Sequence, residues 1–190
     1  MYKSIPKGGI ALTVTLAALL SAGCATKAPP YQPSLDNVQA IKKLPQSLAL
    51  GVFSVNAGAT GAQSIGLRGS SMESPVGANY AAYLADALRQ ELVLAGKLDP
   101  QSKLEISGVL LKNDIDASGF STASGEIEAR FIVKNAGQTR YEKTHKATLN
   151  WESSFMGAVA IPKAQQQYPV VVQALITRLF ADAEFLAALK

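Results

Sequence analysis

The chain of 190 residues contains one cysteine, one histidine and one tryptophan. A single thiol excludes an intramolecular disulfide framework and any multi-cysteine metal site. A single imidazole, His145, excludes a histidine cluster. Charged residues are 17% and aromatics 7% of the chain, yet 48% is hydrophobic, which rules out a disordered polar chain and requires a packed core. No apolar run reaches the roughly 20 residues that a membrane-spanning helix needs. The length fits one domain. The formal charge of +4 points towards nucleic acid or an anionic surface only until the lysines are located.

Two of them, Lys3 and Lys7, precede an uncharged run over residues 10–22. A basic start, a short apolar stretch and small residues before a cut site make a secretory signal peptide, expected over residues 1–23. Leu20-Ser21-Ala22-Gly23-Cys24 resembles the lipobox of bacterial lipoproteins. That resemblance implies diacylglyceryl attachment to the Cys24 sulfur, cleavage before Cys24, and an acylated N-terminus carrying fatty chains such as palmitate. Ala25 stands where the inner-membrane retention signal would place Asp, so the resemblance favours the outer membrane. At roughly 0.8 kcal/mol per buried methylene, two or three chains would make a permanent anchor. Cleavage also takes away half of the +4, and with it the case for a basic protein.

Residues 24–46 carry Pro29, Pro30, Pro33 and Pro45 and no clear periodicity, and so read as lipid anchor and Pro-rich tether, with Val38 and Ile41 able to pin part of it down. A single domain is expected over residues 47–190. Residues 48–55 read as a buried strand, and residues 57–75 as a Gly/Ser-rich segment longer than most loops, around a short strand at 63–68. Tyr80, Leu84, Leu88 and Leu92 predict a helix over 78–95, closed by Gly96. Strands follow at 103–115, 126–134 and 139–151. A last amphipathic helix runs from Tyr168 to Leu186, with Pro169 placed near its start and 161–167 as a separate turn. The order predicts an α+β two-layer sandwich, an antiparallel sheet of about four strands with two helices on one face.

Asn135-Ala136-Gly137 reads as a three-residue hairpin loop. In that register Glu126 faces Lys146, Arg130 faces Glu142 and Phe131 meets Tyr141. Lys143 and His145 are left on the apolar side, as if that end of the sheet were uncovered.

Catalytic chemistry is hard to assemble. His145 lies between Lys143 and Lys146, with no Gly-x-Ser-x-Gly elbow to present a nucleophile, and Cys24 is consumed by lipid. Asp114 and Asp116 resemble the start of a calcium loop, but Gly125 stands where its closing Glu belongs. Residues 58–69 hold several glycines but neither Gly-Lys-Ser/Thr nor Gly-x-Gly-x-x-Gly, so a phosphate cradle has no support. No catalytic residue, metal site, cofactor or nucleic-acid partner is therefore expected. Phe120, in a loop between strands, either folds over the open end of the core or contacts a partner or lipid.

The pattern of residues 79–96 leading to Leu104-Glu105-Ile106, the 126–133 strand, Tyr141-Glu142-Lys143 through Trp151-Glu152, and the closing helix through Phe185-Leu186 resembles the YajG-type bacterial lipoproteins. This resemblance implies an outer-membrane lipoprotein facing the periplasm. By analogy with similar small α+β lipoproteins, it implies an accessory or scaffold subunit of an envelope assembly or transport complex that binds another envelope protein. The alternative is a lipid- or glycan-binding lipoprotein with an apolar cleft between helices and sheet around His145.

Overall fold

Strict alternation over residues 122–152 builds the hairpin on which the domain is assembled. In the computed structural model, which describes residues 25–190, β6 (Thr122–Asn135) and β7 (Gln138–Glu152) pair antiparallel. The signal segment and lipobox residues Leu20, Ser21, Ala22, Gly23 and Cys24 lie outside the described residues. Ile127, Ala129, Phe131 and Val133 point inwards and are fully buried. The turn is two residues, not three: Ala136 (φ 50°) and Gly137 (φ 84°) both sit in the left-handed region, as a type I′ hairpin demands.

The shorter turn and a bulge at Arg140 move the register by two from the expected one: Glu126 opposes Thr148, Arg130 opposes Thr144 and Phe131 opposes Lys143. An even shift keeps every side chain on its expected face. The two ion pairs survive as diagonal contacts, Lys146–Glu126 at 2.7 Å and Arg130–Glu142 at 3.4 Å.

β5 (Leu104–Asp116) lies antiparallel to β6, and β2 (Ala49–Thr60) completes a sheet ordered β2-β5-β6-β7. β2 pairs with β5 in parallel, the one departure from an antiparallel sheet. The chain between them is long enough to cross back over the face and re-enter in the same direction. It includes β3 (Ser64–Leu67), β4 (Ser70–Glu73) and α2 (Tyr80–Leu94). The Gly/Ser-rich segment is thus a hairpin turning at Arg68 and Gly69, both at positive φ, and not a long loop. Asn79 caps α2 by accepting from the Ala82 amide, and Gly96 (φ 66°) ends it.

The C-terminal helix α3 runs unbroken from Gly157 to Phe180 through both Pro162 and Pro169, where the sequence predicted a turn before Pro169. An interior proline costs about 3 kcal/mol. Burial of Ala160, Ala164 and Tyr168 on its N-terminal side offsets that loss. The helix stops at Ala181, and Asp182 caps a separate α4 (Ala183–Ala188), accepting from the Glu184 and Phe185 amides at 2.8 and 3.2 Å. α2 and α3 pack on one face of the sheet, completing the α+β sandwich. Gly125 permits close approach of α3, since a Cβ there would stand 2.7 Å from Val171.

The stretch read as a tether is docked. β1 (Ala25–Lys27) pairs in parallel with β4, and α1 (Leu35–Lys42) buries Val38 and Ile41. Its polar side is satisfied inside the protein. Tyr31 donates to Glu91 Oε1, which also accepts from Asn37 Nδ2 (3.1 Å) and the Ser34 amide (3.2 Å). Prolines 29, 30 and 33 carry no amide hydrogen, so this irregular stretch has few donors left to satisfy.

Candidate functional site

Three places gather chemistry-bearing or exposed groups. The first surrounds His145. Its end of the sheet is covered, contrary to the sequence expectation: Asp182 and α4 fold over it, and Phe185 meets Tyr141 edge-on at 5.5 Å. Tyr141 Oη and His145 Nε2 are 2.5 Å apart, and Asp182 Oδ2 lies 3.6 Å from that nitrogen. Lys143 reaches Asp182 at 2.9 Å and Glu184 at 3.2 Å.

Burial pushes the His145 imidazole down, with the Asp182 charge opposing. The Tyr141 phenol is raised, by burial first and then by Asp182, so it stays a neutral donor and is not an activated nucleophile. His145 has a carboxylate neighbour in Asp182, but the cluster closes α4 onto the sheet. The space beside it, about 360 Å³, is open and lined by Lys143, Lys146, Arg178 and Asp182 together with Thr144 and Ala181. Between helices and sheet, where the ligand-binding alternative places an apolar cleft, Tyr80, Tyr83 and Tyr168 are fully buried with ring centroids 4.9–6.2 Å apart.

The second place is the outer face of the sheet. Its β6–β7 half is exposed and carries the ion pairs Lys146–Glu126 and Arg130–Glu142. Across β2, β5 and β6, however, lies a shallow depression of about 620 Å³. Leu50, Val52, Val109 and Ile132 line it, and Glu105 and Lys134, opposite each other in the β5–β6 register, close one end. Val52 is 78% exposed. A bulge between Leu50 and Phe53 lifts it out of the ladder. The sequence conceals this patch because Val52, Val109 and Ile132 come from three strands, each contributing one apolar residue to a mostly polar face.

The third place is the end of the domain where β5, β6 and β7 meet α3. Phe120 does not fold back over the core. It is 74% exposed and stacks on Phe155, itself 71% exposed, with centroids 5.4 Å apart and planes within 3° of parallel. Met156, the next residue, and Val159, in the first turn of α3, are exposed too. Arg68 holds both loops together. Its Nε donates to the Ala117 carbonyl, Nη2 to Gly119 O (2.7 Å) and Nη1 to Phe155 O (2.8 Å). Asp116, considered above for calcium, accepts from the Ser118 amide and hydroxyl at 2.9 and 2.6 Å and so serves as a turn cap. Sequence reasoning singled out Phe120 but missed Phe155 and Arg68, which become neighbours only through the tertiary fold.

No protein-family model matches the chain, and no curated protein matches it in sequence. Among solved structures it is similar to protein XCC0632 from Xanthomonas campestris, a DUF330 protein, at 12% identity and a TM-score of 0.53, over 86% of this chain and 96% of that one. A candidate lipoprotein from Caulobacter crescentus CB15 follows at 10% identity and a TM-score of 0.47, over 80% and 96%. Protein CT253 from Chlamydia trachomatis has 12% identity and a TM-score of 0.42, over 75% and 94%. The first of these establishes a shared fold.

Proposed function

We propose that this protein is a non-enzymatic, lipid-anchored lipoprotein of the bacterial outer membrane, facing the periplasm and acting as an accessory or scaffold subunit of an envelope assembly or transport complex. Acyl chains on Cys24 hold it to the membrane, and the outer sheet face is offered to another envelope protein. The observation that carries the reading is the apolar patch of Val52, Val109 and Ile132 on an otherwise polar sheet face. Apolar contact framed by complementary charge is the usual make-up of a protein interface. The titratable clusters of the interior support the reading as well: Glu91 and Asp182 are engaged in holding elements together. The ligand-binding alternative needs an apolar cleft that the buried tyrosines occupy.

Two experiments test it. Cys24→Ser should release the chain from membranes; retention of an unprocessed, unlipidated form in the outer membrane would defeat the anchoring. A photo-crosslinker at position 52 should capture one discrete envelope protein, and one at Glu142 should not. Equal or absent capture at both positions defeats the scaffold role.

A further inference from the structure

We infer that the stacked pair Phe120–Phe155, together with Met156 and Val159, is a membrane-contact surface that seats this end of the domain on the bilayer holding the Cys24 acyl chains. The inference rests on the anchoring proposed above.

Covalent continuity is the first ground. Cys24 is bonded to Ala25, and Ala25 is held in β1 opposite Ser71 of β4. Ser71 lies three residues from Arg68, whose guanidinium grips Gly119 and Phe155. Strand spacing of about 4.8 Å and a reach of about 3.5 Å per residue keep Ala25 within roughly 15 Å of the Arg68 backbone. The tip of the β3–β4 hairpin thus ties the start of the described chain to the aromatic end of the domain, with no free tether to let that end swing away. Acyl chains at Cys24 bring the bilayer to Phe120 and Phe155.

The second ground is the chemistry of the platform. Exposed loops ordinarily present carbonyls that need water, and a carbonyl taken into a lipid interface unpaired is heavily penalised. Arg68 lowers that penalty by donating to the carbonyls of Ala117, Gly119 and Phe155 in the two loops that carry the rings. The rings are also stacked on one another, which leaves less side-chain freedom to be lost on contact. At the far end of the sheet the hairpin tip offers Asn135 and Gln138 instead, a polar surface suited to water.

The test uses the full lipidated chain in phosphatidylethanolamine–phosphatidylglycerol vesicles. Lipidation consumes the Cys24 thiol, so Phe120→Cys introduces a single labelling site for the environment-sensitive fluorophore NBD, and Gln138→Cys serves as control. The expected result is flotation of both, with nitroxide-bearing lipids quenching the probe at 120 several-fold more strongly than the probe at 138. A second variant, Phe155→Ser with Met156→Ser, carries the label at Val159→Cys. It should still float but lose the quenching seen for that label with Phe155 and Met156 intact. Flotation with equal quenching at 120 and 138 overturns the inference and leaves the anchoring standing. A blue-shifted but unquenched probe at 120 overturns it in favour of a protein covering. Failure to float overturns both readings.

Discussion

The Tyr31 hydroxyl donates to the carboxyl of Glu91 across sixty residues of sequence, joining the start of the domain to α2 inside the core. Three donors converge on Oε1, while Oε2 has no partner. A fully buried carboxyl so placed is easier to keep as the neutral acid. Burial raises its pKa, with the hydrogen bonds from Tyr31, Asn37 and Ser34 pulling the other way.

Because the folded pKa lies above the unfolded value of about 4.3, this group's contribution to stability is complete below that value. It is lost as pH rises through the folded pKa. Glu91→Gln keeps an acceptor without the charge, so its melting temperature should lack that decline, as thermal unfolding over a pH series would show. Glu91→Ala strands the Tyr31 and Asn37 donors and should cost about 2–4 kcal/mol in urea unfolding. An unchanged midpoint would show that these hydrogen bonds to Glu91 do not hold the residues 31–37 stretch to α2.

His145 predicts the opposite limb. Its pKa is depressed, chiefly by burial, so the stability it lends is present above about 6.5 and is lost as pH falls through the folded value. His145→Gln should flatten the acid side of the stability curve and leave the alkaline side alone. Titration of the ring by NMR reports the shift directly.

Asp182 caps α4 and receives Lys143. Asp182→Ala should cost about 1 kcal/mol through the lost cap. Its signature is local: amides of residues 183–188 should exchange faster while those of β5 and β6 hold their protection.

Arg68→Ala leaves three carbonyls without their donor. Backbone exchange should accelerate in residues 117–121 and 154–157 alike, by tenfold or more if about 1.4 kcal/mol of local stability is lost. Acceleration of one loop alone would mean that the guanidinium does not couple them.

Gly108 and Gly125 test the packing. A Cβ at 108 would stand 2.5 Å from the Phe53 ring, and one at 125 2.7 Å from Val171. Valine at either site should destabilise by about 1–3 kcal/mol, whereas Gly69→Asn, in open space at a left-handed turn, should be nearly neutral in denaturant melts.

The β-hairpin shows what was legible in the sequence and why. Period-two alternation assigned each side chain in 126–134 to its face, and complementary charge identified the Glu126–Lys146 and Arg130–Glu142 pairs. Charge could not decide between directly opposite and diagonal neighbours, since both lie within reach of long side chains. Ala136 in a left-handed conformation hid the two-residue turn. Pro169 misled for a related reason, because local rules price its missing donor but not the tertiary burial of Ala164 and Tyr168 around it. The prolines of 29–33 suggested an extended tether, and only the distant Glu91 shows what Tyr31 and Asn37 are for. The Phe120–Phe155 stack and the strip around Val52 were illegible for want of adjacency in sequence.

The pairing of Ala25 with Ser71 changes what an attachment at residue 24 can do. A flexible stretch of twenty residues would act as a leash, letting the domain sample a hemisphere some 25 Å deep. A graft one peptide unit, about 3.8 Å, from a strand acts as a bracket. The domain then has a fixed stance, and its sheet face is presented in one orientation to whatever surrounds the support that holds residue 24.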